Sequence, residues 1–207
     1  MTPVTDLPPA FAAFDKMGGA LGFAVFEQAD GTEDEALTAI RMAMRGCHGF
    51  EAGRLRELGY RFLKRQAFLG DWYDDDRRLL VKRGSWSLAD GREMENPPLR
   101  SVDRLKIVSG SSRIPDVGCG GQFAYAFSQP PYSLNARPSE VQNVFDAIID
   151  SVMPPDHRAS IRDWSHPALP EVSDYFDAGA EWWGVFLFSI YVPDLRRLTI
   201  IAGSTTD

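Results

Sequence analysis

Two cysteines, three histidines and a run of aspartates are the side chains of this 207-residue chain best equipped for chemistry. Cys119 lies in VGCGG, a glycine-rich loop. A cysteine there could act as a nucleophile, with nearby backbone N–H groups to hold an oxyanion. His157 or His166 would then serve as base, with Asp156 or Asp163 to orient it. That reading makes the chain a cysteine-dependent hydrolase or transferase, although the spacing matches no family pattern of cysteine enzymes. The competing reading is a small buried thiol in a glycine turn. Cys47 and His48 are adjacent, so in regular structure their side chains diverge, and they read as a helix-terminus pair rather than a metal site. Glu181 stands beside Trp182 and Trp183, an acid whose pKa such surroundings could raise, but it has no identifiable partner.

The segment DWYDDDRR holds the densest group of carboxylates. Asp71, Asp74, Asp75 and Asp76 could hold a hard cation, yet the alternating ligand pattern of an EF-hand is missing and Arg77 and Arg78 follow at once. A solvated, Asp-capped helix start is a second reading. The third is a protein-binding patch in which Trp72 and Tyr73 are aromatic anchors and Asp71, Asp74, Asp75 and Asp76 form the charged rim. No residue set calls for a metal ion or a cofactor. The glycines near Cys119 lack the GxxxxGK[ST] spacing and stand before an expected strand, which excludes a phosphate-binding loop.

Charge narrows the partners. The formal net charge is −7, which opposes nonspecific binding to nucleic acid. Residues 1–40 hold seven acids and one base, residues 41–83 hold eleven bases and six acids, and residues 139–207 hold eleven acids and four bases. A basic middle between acidic ends implies either an internal electrostatic match or two faces with different partners. The first residues lack a basic region followed by an apolar one, so no signal peptide is expected. The longest apolar run, 182–192, is interrupted by a single Ser189 and is too short for a bilayer, which needs roughly 18 residues. A cytoplasmic protein with reduced thiols is expected.

Hydrophobic periodicity sets the elements that must position these groups. A short helix begins at Pro9, with Phe11, Phe14 and Met17 on one side and Gly18 past its end. Residues 21–27 form a strand closed by the Asp30-Gly31 turn. Thr32 and Glu35 have the spacing of a capping box and open a helix that Gly46 stops. A second helix is expected over 51–66, despite Gly59. Short strands follow at 79–83, 85–88, 105–108 and 122–127, with a hairpin signal at Asp90-Gly91. The clearest helix starts near Ser139, with Gln142 in the capping-box position, and Val141, Val144, Phe145, Ile148, Ile149 and Val152 keep a helical period until Pro154. A short helix covers 170–177. The chain closes with a hairpin, 182–192 and 198–202, whose first strand is apolar enough to be central and covered on both faces. Hairpin-like connections among mixed elements predict a single α+β domain over residues 1–207, built on a mainly antiparallel sheet.

The opening LPPAFAAFDKMGG, residues 7–19, resembles the start of SUKH-type bacterial immunity proteins, with Leu-Pro, a short helix bearing an aromatic residue, and a glycine pair. The basic region over 41–65 and the VGCGG loop have no counterpart in that pattern. The resemblance implies an α+β protein that neutralises a toxin by binding it, without catalysis. Charge agrees with that expectation, because an acidic protein is steered toward a basic enzyme or toxin. The expected function is therefore inhibition of a partner protein by direct contact, with homo-oligomerisation open and the Cys119 enzyme as the alternative.

Overall fold

A computed structural model describes residues 1–44, 49–116, 121–180 and 183–205. Its centre is the C-terminal hairpin. Strands β10 (Phe186–Val192) and β11 (Arg197–Gly203) pair antiparallel from Phe186 opposite Gly203 to Val192 opposite Arg197. The remaining strands, in chain order, are β1 (Thr2–Pro3), β2 (Leu21–Glu27), β3 (Arg61–Leu63), β4 (Tyr73–Asp74), β5 (Leu79–Leu80), β6 (Gly84–Leu88), β7 (Glu93–Glu95), β8 (Ile107–Ser112) and β9 (Ser160–Asp163). The helices are α1 (Pro9–Lys16), α2 (Glu33–Ala43), α3 (Ala52–Leu58), α4 (Arg65–Leu69), α5 (Phe123–Ser128) and α6 (Pro138–Val152). The main sheet has the order β1-β2-β11-β10-β9-β3, with every neighbouring pair antiparallel. β4 pairs with β5, and β7-β6-β8 form a separate three-stranded ribbon. This is an α+β fold.

Strand alternation distributes the core to both sides of the sheet. Phe188, Ile190 and Ile201 face a layer that holds Phe14, Phe68, Phe123, Phe127 and Phe145 from α1, α4, α5 and α6. Leu187, Leu198 and Ile200 face the opposite layer, which contains Ile40 of α2, Leu55 of α3 and Phe176. The apolar run at the C-terminus is thus a central strand covered on both faces, as its composition implies. Ser189 has a specific reason to interrupt it. Its hydroxyl accepts the Trp164 indole N–H at 2.9 Å, and both residues are buried. Ser189→Ala leaves that N–H without an acceptor and is expected to cost about 2 kcal/mol, measured by denaturant unfolding.

Several local expectations change. The helix over 51–66 is broken at Gly59, whose φ of +73° ends α3. Residues 61–63 then extend as the edge strand β3 against β9, and α4 follows. The strand over 122–127 is instead the helix α5, buried all round. A continuous apolar run has no period to separate the two states. Arg137, not Ser139, is the N-cap of α6, because Pro138 suits the first helical position and the Glu140 carboxylate accepts the Arg137 N–H at 2.8 Å. Gln142 points into the protein, where its carbonyl accepts the Leu80 N–H at 2.8 Å. Residues 170–177 are covered by two 3₁₀ turns, and only Leu79–Leu80 of 79–83 is strand. At α2, the Thr32 hydroxyl accepts the Glu35 N–H as expected, but the Glu35 carboxylate reaches back to the N–H groups of Asp30 and Gly31 rather than to Thr32. The expected stop at Gly46 lies outside the described residues.

Four cations of the basic middle meet carboxylates of the acidic ends. Arg54 pairs with Glu171 at 2.7 Å, Arg56 with Glu33 at 3.2 Å and also with Asp34, Arg61 with Asp163 at 2.9 Å, and Arg78 with Asp150 at 3.6 Å. Each pair joins the basic middle to an acidic end. Among the described residues, no helix is long and apolar enough to cross a membrane.

Candidate functional site

The β7-β6-β8 ribbon is separate from the main sheet. On β6, Gly84, Trp86 and Leu88 turn inward, and Lys82 lies 4.3 Å over the Trp86 ring. β8 is exposed from Val108 onward, with Val108 at 66%. The Arg113 N–H donates to the Arg83 carbonyl at 3.1 Å, which makes Ser85–Ser111 and Ser87–Ser109 the pairs that exchange ladder hydrogen bonds. Gly110 and Ser112 therefore direct their N–H and C=O groups away from β6, to an edge on which no strand pairs among the described residues. Such an edge is a template for an added strand.

Beside the end of β8 lies a cavity of about 300 Å³. Trp72, Tyr125 and Trp183 form its aromatic lining, with Ser112 and Ile114 from the ribbon and Pro130-Pro131 opposite. The Trp183 indole N–H donates to the Gln129 carbonyl at 2.7 Å. The Trp72 indole N–H is buried and has no hydrogen-bond partner among the described residues. Burial pushes the Tyr125 phenol above its ordinary pKa, so it stays neutral and able to donate near neutral pH. Ile114, 62% exposed, also borders a second cavity of about 330 Å³ that shares Trp72 and is lined by Asp71, Arg83, Arg113 and Asp116. An open strand edge, an apolar pocket beside it and charged groups at the mouth suit an extended peptide segment.

The structure divides the DWYDDD segment. Trp72 is 1% exposed and Tyr73 is 9% exposed, so neither is the protruding anchor expected from the sequence. Trp72 is a wall of the cavity, and Tyr73 packs on Phe145 at 5.4 Å. Asp71 is exposed at the mouth of the second cavity, and its N–H donates to the Gln122 side chain. Asp74 accepts the Arg77 N–H at 3.0 Å and so closes the β4–β5 turn in place of the expected helix start, while Asp75 and Asp76 are exposed on that turn.

Of the groups considered for cysteine chemistry, Cys47, His48, Cys119 and Glu181 lie outside the described residues. The others have separate duties. His157 Nδ1 is 3.2 Å from Asp194, not paired with Asp156 or Asp163, and His166 Nδ1 accepts the Ala168 N–H at 3.0 Å. Asp163 is buried and accepts from the Arg61 guanidinium at 2.9 Å, the Gly121 N–H at 3.0 Å and the Ser165 N–H at 3.0 Å. It fastens β3 and the entry to α5 onto the sheet, and it contacts neither histidine through a hydrogen bond among these. Among the described residues, no group of three metal-ligating side chains comes together.

The sequence reading missed Tyr125 as a pocket residue because it placed 122–127 in a strand, and it gave β8 no special standing. The signal available was the SGSS run, polar on both faces of a strand. Compared with models of protein families, with curated proteins and with solved structures, the chain matches none of them.

Proposed function

We propose that this chain is a non-enzymatic binding protein that inhibits a partner enzyme or toxin by direct contact, the activity implied by the SUKH-type resemblance of residues 7–19. The observation that carries the reading is the open outer edge of β8 beside the aromatic cavity. The partner presents an extended segment that adds to β8 through the backbone groups of Gly110 and Ser112 and places an apolar side chain among Trp72, Tyr125 and Trp183. The net charge of −7 steers a basic partner toward the protein, and Asp71, Asp74, Asp75 and Asp76 contribute to that field at the neighbouring surface.

Ser112→Pro removes the outward N–H without taking a hydrogen bond from the β6 ladder, and proline is tolerated on such an edge. The variant is expected to keep the unfolding midpoint of the parent and to weaken partner binding by about a hundredfold, as the loss of a buried backbone bond and a clash at the edge combine. Surface plasmon resonance with the captured partner measures it, alongside the partner's own activity. Equal affinity of the parent and Ser112→Pro removes β8 from the interface. Replacing Asp74, Asp75 and Asp76 together by Ala is expected to slow association and flatten its salt dependence. Unchanged association at every salt concentration refutes a role for that segment.

A further inference from the structure

Among the described residues, most cations of the basic middle have an ion-pair, ring or side-chain hydrogen-bond partner. Arg54, Arg56, Arg61, Arg77 and Arg78 each lie within ion-pair distance of a carboxylate. Arg41 lies 5.9 Å from the Phe50 ring centre, Lys82 sits over Trp86, and Arg83 donates to the Asn96 side chain at 3.2 Å. Lys64 and Arg65 share with Arg41, Lys82 and Arg83 the lack of a carboxylate partner among the described residues, and they differ in lying side by side at one cavity. Among the described residues, neither has a carboxylate within 4.0 Å. Both line the same cavity, of about 510 Å³, enclosed by the β3–α4 junction, the β4–β5 turn and the chain that leaves α6.

That cavity also receives Arg78 and His157, against one acid, Asp75. Arg78 shares its charge with Asp150 at 3.6 Å, and His157 Nδ1 lies 3.2 Å from Asp194. The rest of the lining is apolar, with Leu63, Met153, Ala159 and Ile161 beside Pro154 and Pro155. Lys64 and Arg65, neither with a carboxylate partner among the described residues, thus stand beside Arg78 around one hollow that has an apolar wall. Like charges brought together repel unless an anion joins them. Guanidinium and ammonium groups side by side match the oxygens of a phosphoryl group, through bidentate contacts from Arg and a point charge from Lys. The apolar wall suits the organic part of such a ligand.

We propose that this cavity binds a small phosphate monoester, with Lys64, Arg65 and Arg78 on the phosphoryl oxygens and the organic group against Leu63, Met153 and Ile161. The site shares no lining residue with the two cavities beside β8, and its test needs no partner protein.

Phenyl phosphate is the probe, with inorganic phosphate and benzoate as the two halves of its chemistry. Calorimetric titration is expected to give one-to-one binding of phenyl phosphate, weaker binding of inorganic phosphate, and the weakest of benzoate. The double variant Lys64→Ala, Arg65→Ala is expected to unfold at the parent temperature and to lose at least about tenfold in affinity, because two charge-assisted contacts go. Arg78→Ala provides an independent second loss. Amide chemical shifts should move at Lys64, Arg65, Arg78 and His157. Absence of saturable binding, equal affinity of the double variant, or shifts confined to other regions would overturn the proposal. So would binding to phosphatidic acid vesicles with none to the soluble ester, since that assigns the cations to a lipid surface.

Discussion

Phe188→Ala is expected to destabilise the protein by about 4 kcal/mol, the range for a fully buried phenylalanine reduced to alanine. Phe188 lies at the centre of β10, opposite Ile201 on one side and Asp163 on the other. It is completely buried, and its ring meets Phe68 of α4 edge-on with centroids 5.1 Å apart. Phe68 in turn stacks on Phe123 of α5 at 4.8 Å, and Phe123 neighbours Phe127 and Phe145. Removing one ring therefore opens a hole beneath three helices that cannot all settle into it. Equilibrium unfolding in urea measures the loss. A change below about 1 kcal/mol would mean that the site collapses freely and that this core is not close-packed.

Asp163→Ala is expected to cost about 3 kcal/mol, for electrostatic rather than packing reasons. The carboxylate is buried and receives three donors, from Arg61, Gly121 and Ser165. Its removal leaves two backbone N–H groups without this acceptor and takes one carboxylate from Arg61, which is largely solvated and so loses little itself. Asp163→Asn separates the contributions. The amide keeps the shape and one acceptor oxygen, so it should recover part of the loss. If Asn destabilises as much as Ala, the carboxylate charge dominates, and if both are neutral, Asp163 does not hold β3 and the α5 entry in place. Thermal unfolding of the three proteins in parallel supplies the comparison.

Much of the frame was legible in the sequence because one-sided burial leaves a period. Strand β2, helices α1, α2 and α6 and the β10–β11 hairpin follow from alternation or from helical spacing, and the central place of β10 follows from an apolar run interrupted only by Ser189. Where burial is complete the period disappears, which is why α5 reads as a strand. Gly59 was visible but its left-handed conformation was not, and so one helix was expected where α3, β3 and α4 stand. The candidate site was harder still. Trp72, Ser112, Tyr125 and Trp183 are distant in sequence and meet only through the fold. Aromatic residues flanked by aspartates look the same in a list whether they protrude as anchors or line a cleft, and Trp72 lines a cleft.

Hydrogen–deuterium exchange on the complex with a partner captured from native lysate addresses the binding surface directly. Slower exchange of the outward amides of Gly110 and Ser112 in the complex, with the inner amides of Ser109 and Ser111 little changed, is the result expected of a strand added to β8. Unchanged exchange along β8, with protection elsewhere on the protein, would contradict the assignment of this edge as the binding site.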